Sequence, residues 1–274
     1  MIIKAPDYNL FQKIFYYIRL YIFYLKIYVK VMTSYPAGTW IAIIASISAQ
    51  ITAIIFINVL FSKIPVFYNW QYYDILFLFG VATMGRALVQ VFLDMPYYLS
   101  SFIVRGSLDI CMIRPASPLF QTIGMTQEIN AIGTLATGIF ILIYAGPHTS
   151  IDWNIFKFFY LLLALASSMI IQFSYLLAAV VPSFWVMDNR SLLYPLGWLT
   201  DFLRYPIDAF HPVLRFILTF IIPYAIGSYY PVLFLINPVK YSWALWGVPL
   251  TAAICLTSAL FIWKYGIKHY SSAG

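Results

Sequence analysis

The chain has 274 residues, of which 63% are hydrophobic and only 9% are charged, and its formal net charge is +7. This composition excludes an ordinary soluble domain and predicts one all-α integral membrane domain, with room for about six helical spans of about 20 residues each. In a membrane protein, excess lysine and arginine indicates the cytoplasmic side and contact with anionic headgroups. Membrane lipids are therefore expected partners and nucleic acid is not.

The stretch from Tyr8 to Met32 is predicted to be an amphipathic helix at the membrane interface. Its cations are Lys13, Arg19, Lys26 and Lys30. The last three fall within about 40° of one another at helical spacing, and isoleucine and aromatic residues occupy the rest of the circumference. A first spanning helix is the less favoured alternative, because four cations in so short a stretch are hard to bury. The preceding residues lack the pattern of a cleaved signal peptide.

Apolar stretches of membrane length follow, separated by proline, glycine and polar residues. The predicted spans are residues 39–61, 74–99, 125–145, 155–181, 191–210 and 243–263. Prolines interrupt residues 191–240, which allow either two full spans or one span followed by helices that enter and leave on the same side. Six spans place the basic carboxyl-terminal tail on the same side as a cytoplasmic amino terminus, as the positive-inside rule requires. The favoured interpretation is six spans, with residues 212–238 as an outer re-entrant segment.

Residues 101–116, between the second and third predicted spans, are expected to form a cytoplasmic loop with a short amphipathic helix. Arg105 and Asp109 are four residues apart and can pair on one helix face. Leu108 and Met112 are expected to form an apolar edge beside them. A simple interfacial turn is an equally favoured alternative. The residues that this helix offers to a partner are Arg105, Leu108, Asp109, Met112 and Arg114.

Arg86 lies inside the second predicted span, and Asp94 follows it in the same stretch. A charge at the bilayer centre costs about 2.5–3.5 kcal/mol, so it persists only where a bundle interior, a partner or water receives it. Two interpretations of Arg86 stay open. It forms a structural ion pair with Asp94 or Asp201, or it faces the translocation path or a dimer interface and attracts an anionic group. In both cases Arg86 is expected on an internal or dimer-facing surface.

Asp201, Arg204 and Asp208 are predicted to lie near the outer boundary of the membrane. The favoured interpretation is that they pair with one another and with water, and a gate or substrate-binding role is the alternative. Pro223, in the predicted re-entrant segment, completes the set of outer-gate candidates.

Neither a catalytic nor a metal site is predicted, and no cofactor is expected on this chain. The stretch from Gly80 to Ala87 has GxxxxG but lacks the following Lys and Ser/Thr, and close helix packing is its expected role. Cys111 and Cys255 favour neither a disulfide nor a zinc site. The three histidines are dispersed, and Asp109 with Glu128 is the only cytoplasmic acidic neighbourhood of note. An integral membrane lipid-modifying enzyme is thus a disfavoured alternative. The other alternative is a channel that is not coupled to ATP.

Two stretches carry a resemblance to a known family. The loop from Arg105 to Phe120 reads RGSLDICMIRPASPLF, and the chain from Arg204 to Pro231 reads RYPIDAFHPVLRFILTFIIPYAIGSYYP. Both are similar to motifs of permease subunits of the ABC-2 type exporter family, in the branch whose loop reads RGxLDxxxxRPxSPLF. The two motifs occur in the family's order, and the resemblance extends over almost the whole chain.

The resemblance implies a half-transporter for export in a cell membrane, such as a bacterial inner or plasma membrane, with both termini in the cytoplasm. Such a permease dimerises with itself or with a related permease and docks a separate cytoplasmic ABC ATPase, which holds ATP and Mg. The segment from Arg105 to Arg114 would be the coupling helix, and residues 8–32 the interfacial connecting helix. Residues 212–238 would cap the exit. The resemblance does not imply a substrate.

Overall fold

The computed structural model describes residues 9–186 and 188–271, and the regular structure within them is entirely helical. The α-helices are α1 (Leu10–Ser34), α2 (Pro36–Lys63), α3 (Tyr72–Phe92), α4 (Leu99–Val104), α5 (Ser107–Ile113), α6 (Pro118–Gly124), α7 (Asn130–Ala145), α8 (Ile155–Val180), α9 (Ser183–Val186), α10 (Arg190–Trp198), α11 (Pro212–Phe216), α12 (Tyr224–Ile236) and α13 (Ala244–Lys268). Short 3-10 helices cover Met95–Tyr97, Gly146–His148, Leu199–Arg204 and Ile207–Ala209, and a π-helical turn covers Ile217–Ile221.

Five helical segments in the described residues are long and apolar enough to cross a membrane. They are α2, α3, α7 with its 3-10 extension to His148, α8 continued through α9, and α13. A sixth candidate is the pair Pro212–Ile221 and Tyr224–Ile236, whose two parts are bent by 99° at the break between them. The predicted all-α membrane fold is confirmed.

The predicted fifth span, residues 191–210, is not one long helix. The nine residues of α10 are followed by the 3-10 helices Leu199–Arg204 and Ile207–Ala209. Pro195 lies inside α10 and Pro206 ends the first 3-10 stretch, and proline weakens helices because it lacks the amide hydrogen. The following segment is bent by 99°, which matches either one broken span or a re-entrant loop, so the re-entrant segment stays a prediction.

Other boundaries also differ from those predicted, and two of them concern the stretch around Asp94. Helix α3 ends at Phe92 rather than at Leu99, because the ring of Pro96 would clash with the carbonyl group of Phe92, four residues earlier. Helix α7 begins at Asn130 rather than at Met125. Asp94 therefore lies beyond the end of α3, whereas Arg86 lies within it. The first predicted helix begins as α1 at Leu10, and Tyr8 lies outside the described residues.

One end of the bundle, here named the loop end, carries α4, α5 and α6. Helix α1 lies there, because the Ser117 amide donates a hydrogen bond to the Tyr17 hydroxyl oxygen at 3.3 Å. The last turns of α8 and α13 also lie there, since Phe184 packs against Trp263 and Tyr270. The described chain therefore begins and ends at the loop end, as an even number of crossings requires.

The opposite end of the bundle carries the α2–α3 and α7–α8 connections. There the carboxylate of Asp74 accepts hydrogen bonds from the amide and the hydroxyl group of Ser150. Helix α12 runs from deep within the bundle toward this end. Its first residue, Tyr224, packs against Tyr175 near the end of α8, and Phe234 packs against Tyr160 near the beginning of α8.

Buried apolar side chains form two clusters. The larger one lies among α3, α7, α8 and α12 and includes Phe79 and Tyr224. The smaller one lies at the loop end, where Leu108 of α5 packs in the same cluster as Leu177 of α8 and Trp263 of α13. Helix α5 is thus connected to two spanning helices by continuous apolar packing.

Candidate functional site

Arg86 is held at membrane depth by an ion pair with a distant part of the chain. Its Nη1 atom donates to Oδ1 of Asp201 at 2.6 Å, and Nη2 of Arg204 lies 3.0 Å from the same oxygen. The guanidinium of Arg204 also lies over the ring of Phe79, 5.4 Å from its centroid. Arg86, Asp201 and Arg204 are here named the Arg86 cluster. It has two positive charges and one negative charge.

The Arg86 cluster lies along α3, which corrects the predicted position of Asp201 and Arg204 at the outer boundary. Both Arg86 and Phe79 are residues of α3, and their contacts bring Asp201 and Arg204 beside that helix. The 3-10 helix from Leu199 to Arg204 turns both side chains toward α3, since residues three apart share a face in this type of helix.

Two cavities meet at Arg86. The first, about 370 Å³, lies between α2, α3, α7 and the 3-10 helix. The second, about 270 Å³, lies nearer the loop end. Arg86, Gln90 and Asn130 line both cavities, so the two are adjacent. The first cavity also contains Asp201 and Arg204, and the second contains Asp94 and Glu128.

The loop-end cavity is acidic. Glu128 accepts hydrogen bonds from the hydroxyl group of Tyr98 at 2.7 Å and from the amide of Asn130 at 2.8 Å. Asp94 is buried. Burial, with a smaller contribution from Glu128, raises the pKa of its carboxyl group to about 8, and Arg86 opposes the rise. The described contacts thus pair Arg86 with Asp201 rather than with Asp94, and Asp94 is protonated at neutral pH.

Asp208 is separated from the Arg86 cluster, although the sequence grouped it with Asp201 and Arg204. Its carboxylate lies 3.4 Å from Nη1 of Arg215 and accepts a hydrogen bond from the hydroxyl group of Tyr229. It also lines a cavity of about 380 Å³ at the opposite end of the bundle, together with Trp70 and Asp74. Of the predicted outer-gate residues, Asp208 is therefore the one placed at that end.

Pro223 lies at the bend between the π-helical turn and α12, directly before Tyr224. Because Tyr224 contacts Tyr175 on α8, this bend lies inside the bundle and not on its outer surface. The contribution of Pro223 to a gate stays a prediction, at a deeper position than the sequence indicated.

The loop between α3 and α7 forms three short helices. Arg105 ends α4, and Gly106 turns the chain with φ of 65°, a value that glycine adopts without strain. Arg105 and Asp109 consequently belong to different helices and do not share one helix face as predicted. The side chain of Gln121, on α6, donates hydrogen bonds to the carbonyl oxygens of Cys111 and Ala116 and fixes the end of α5.

The exposed face of α5 differs from the predicted one. Leu108 is fully buried and Met112 is half-buried, so neither forms an exposed apolar edge. Ile110 and Ile113 are exposed instead, at 50% and 60%. These two isoleucines are three residues apart, a spacing that predicts a shared face, but only the packing of Leu108 shows which face is covered. Arg105 and Arg114 are exposed beside them.

Within residues 9–186 and 188–271, no group of three or more His, Cys, Asp or Glu side chains could hold a metal ion. Gly80 and Gly85 lie inside α3. A Cβ atom at Gly80 would come within 2.9 Å of Leu142, and one at Gly85 would clash with Ser168. The GxxxxG stretch is thus a packing surface against α7 and α8.

Comparison with known proteins matches the chain to one family. The family model described as ABC-2 family transporter protein covers residues 47–274, which include α3, the Arg86 cluster and helices α4 to α6. A search of curated proteins gave no match, and a search of solved structures gave none either. Because the family model covers most of the chain, the protein belongs to the ABC-2 transporter family and is a membrane permease subunit of an ABC transporter.

Proposed function

We propose that this subunit is the membrane half of an ATP-driven exporter and that α5 docks a separate cytoplasmic ABC ATPase. The observation that carries the proposal is the division of α5 into two faces. Leu108 and Cys111 are buried in the loop-end cluster, while Ile110 and Ile113 are exposed. An apolar face beside arginines is suited to a protein partner, because the buried core of an interface is apolar and arginine is enriched at interfaces.

The packing of α5 supports its use as a coupling element. Leu108 lies in one cluster with Leu177 of α8 and Trp263 of α13. Gln121 holds the carbonyl group of Cys111 from the other side. A displacement of α5 by a partner would therefore be transmitted to two spanning helices, because closely packed interiors deform little.

Charge distribution supports a cytoplasmic loop end. Basic residues at this end are Lys13, Arg19, Lys26, Lys30, Arg105, Arg114, Arg190, Lys264 and Lys268. The opposite end has Lys63, Lys157, Arg215 and Lys240, since Arg204 lies beside α3 and belongs to neither end. By the positive-inside rule we therefore propose that both termini and α5 lie in the cytoplasm, on the side where the ATPase would hold ATP and Mg.

Dimerisation with a second permease is part of the proposal. In the most apolar part of each helix, 11% of α2 and 17% of α13 is buried inside the protein. The corresponding share of α3 is 72%. Both peripheral helices offer apolar surface to lipid or to another subunit. A dimer would cover part of this surface and complete a translocation path between two copies.

Copurification tests the docking proposal. Full-length permease is coexpressed with the ATPase from a neighbouring reading frame and extracted in a mild detergent. The wild-type chain is expected to retain the ATPase, and Ile113→Asp to lose most of it, because a charge replaces an exposed apolar contact. Ile64→Asp is the matched control, since Ile64 is also exposed, at 43%, but lies at the opposite end. Equal retention by the two variants would reject α5 as the docking site.

ATP hydrolysis tests whether the ATPase activity belongs to the partner chain and not to the permease. The permease alone is expected to hydrolyse no ATP, whereas the complex hydrolyses ATP with Mg. The Ile113→Asp variant should lower this activity in the membrane without changing permease abundance. Hydrolysis by purified permease alone would contradict the proposal.

A further inference from the structure

The cavity of about 370 Å³ beside α2 carries more positive charge than its own residues neutralise. Arg86 and Arg204 both contact Asp201, which leaves one positive charge in excess. Each guanidinium has five N–H donors, and the ion pair uses few of them. Two convergent arginines on one side of a cavity are the arrangement that recognises phosphate or carboxylate groups.

Gln50 is an independent indication of a ligand in the same cavity. It lies on α2 and is only 5% exposed, although most of α2 is exposed and apolar. Its Oε1 atom is buried and has no hydrogen-bond partner among the described residues. A buried amide oxygen of this kind requires a donor, such as a hydroxyl group. Rotation of the amide by half a turn would present its NH₂ group to an anion instead.

The remaining lining leaves room for a headgroup. Ala45, Ser46 and Ala49 are the residues of α2 that line the cavity with Gln50, and Thr134 lines it from α7. These small side chains leave the space in front of the two arginines open. The adjoining cavity contains Glu128, which disfavours an anion nearer the loop end and restricts it to the arginine side.

We propose that the cavity formed by Gln50, Arg86, Asp201 and Arg204 binds a phosphate or carboxylate group that carries neighbouring hydroxyl groups. Phosphoglycerol and sugar-phosphate headgroups have this chemistry. The arginines contact the anion and Gln50 accepts from a hydroxyl group. This inference rests on the proposed function, since it names the class of compound that the transport route would receive. It is tested on the permease alone, so a failure of ATPase docking would leave the binding result intact.

The binding test uses full-length permease in a neutral detergent, with native mass spectrometry as the measurement. The probes are phosphatidylglycerol, phosphatidylcholine and free glycerol phosphate. Phosphatidylglycerol or glycerol phosphate is expected to bind at least tenfold more tightly than phosphatidylcholine, because the phosphatidylcholine headgroup has no hydroxyl groups for Gln50 and its trimethylammonium group is repelled by the positive excess. Binding of the lipid alone identifies a lipid-borne headgroup, and competition by glycerol phosphate identifies a soluble one.

Three variants distinguish this site from general attraction to the basic loop end. Arg204→Gln is expected to weaken binding about tenfold, and Gln50→Leu, which preserves every charge, severalfold. Asp201→Asn is expected to strengthen binding, because it increases the positive excess. Arg190→Gln is the matched control, since Arg190 is an exposed arginine at the loop end.

Two results would overturn the proposal. One is equal binding of phosphatidylglycerol and phosphatidylcholine without binding of glycerol phosphate. The other is unchanged binding in folded Gln50→Leu and Asp201→Asn. Melting of each variant in the same detergent identifies loss of fold, and those two variants decide the question if Arg204→Gln does not fold.

Discussion

Helices α2 and α3 are both apolar enough to cross a membrane, but the protein surrounds only one of them. In its most apolar part, α3 is 72% buried and α2 is 11% buried. Helix α3 contains Gly80 and Gly85, which bring α7 and α8 close to it. Most of α2 offers large apolar side chains to the outside. The comparison shows that apolarity predicts membrane insertion, whereas small residues and internal charges predict which helix becomes central.

The largest expected contrast between the two helices is in side-chain truncation. Ile75 on α3 is 1% exposed and Ile55 on α2 is 55% exposed. Ile75→Ala is expected to lower the free energy of unfolding by about 3 kcal/mol because it leaves a cavity in the packed interior. Ile55→Ala should change it by less than about 0.5 kcal/mol. Denaturant unfolding in detergent measures both, and equal losses would remove the distinction between the helices.

Replacing a glycine by a larger residue should also destabilise the protein more on α3 than on α2. Gly85→Val on α3 is expected to cost about 2 kcal/mol, since its Cβ atom would clash with Ser168 and come within 2.9 Å of Gln172. Gly38→Val on α2 is the control, because a Cβ atom there meets nothing within 4 Å. Thermal melting of the purified variants measures the difference. Tolerance of valine at both positions would show that α3 is less tightly packed than described.

Removing the charge of Arg86 tests whether the ion pair with Asp201 is what stabilises a charged residue inside α3. Arg86→Met is expected to cost about 1.5 kcal/mol, because Asp201 keeps Arg204 but loses its shorter ion pair. Arg190→Gln removes the exposed pair with Asp188 and should lower the free energy of unfolding less than Arg86→Met does. The double variant Arg86→Met with Asp201→Leu should be less stable than Arg86→Met alone, because it leaves the guanidinium of Arg204 without its partner. A double variant as stable as Arg86→Met would mean that Arg204 does not depend on Asp201.

The smallest expected effect is the pH dependence at the end of α3. Burial raises the pKa of the Asp94 carboxyl group from 3.8 to about 8, so the native state keeps a proton that the unfolded chain releases above about pH 4. The free energy of unfolding should therefore fall as pH rises from 3.8 toward 8. Asp94→Asn should remove this decline and stabilise the protein by about 1 kcal/mol at pH 7. This is less than the full pKa shift implies, because detergent also shields Asp94 in the unfolded chain.

The pH dependence of the free energy of unfolding due to Asp188 has the opposite sign and serves as the comparison. Hydrogen bonds from Arg190 lower the pKa of its carboxyl group to about 2, so the contribution of this pair is present above pH 3.8 and is lost as pH falls through 2. Unfolding measured from about pH 2 to about pH 9 separates the two residues. A slope near pH 7 that survives in Asp94→Asn would assign it to another group.

The sequence predicted the helices well where one strong local signal was present. The uncharged stretch from residue 39 to residue 61, for example, was predicted to be a span and lies within α2, which is long and apolar enough to cross a membrane. Residues 191–240 were harder, because apolar composition indicates depth in a membrane but prolines do not show whether the broken pieces cross or return. The 99° bend before α12 depends on packing of Tyr224 against α8.

The sequence likewise predicted some residues of the candidate site and failed to predict others. Arg86 and Asp94 were found because charges in apolar stretches are conspicuous. Gln50, Ile110 and Ile113 were missed, since a neutral amide and two isoleucines do not stand out in such a composition. A polar residue on an otherwise apolar α2 was the signal available for Gln50.

The sequence by itself determined that this protein is a helical membrane permease, because apolar length, proline positions and the two motifs are local properties of the chain. Only the tertiary structure decided that Arg86 pairs with Asp201, 115 residues away, and that α5 covers Leu108 and exposes Ile110. Helical periodicity specifies which residues share a face. Which face is covered depends on distant helices that pack against it, and that information is not contained in any single stretch.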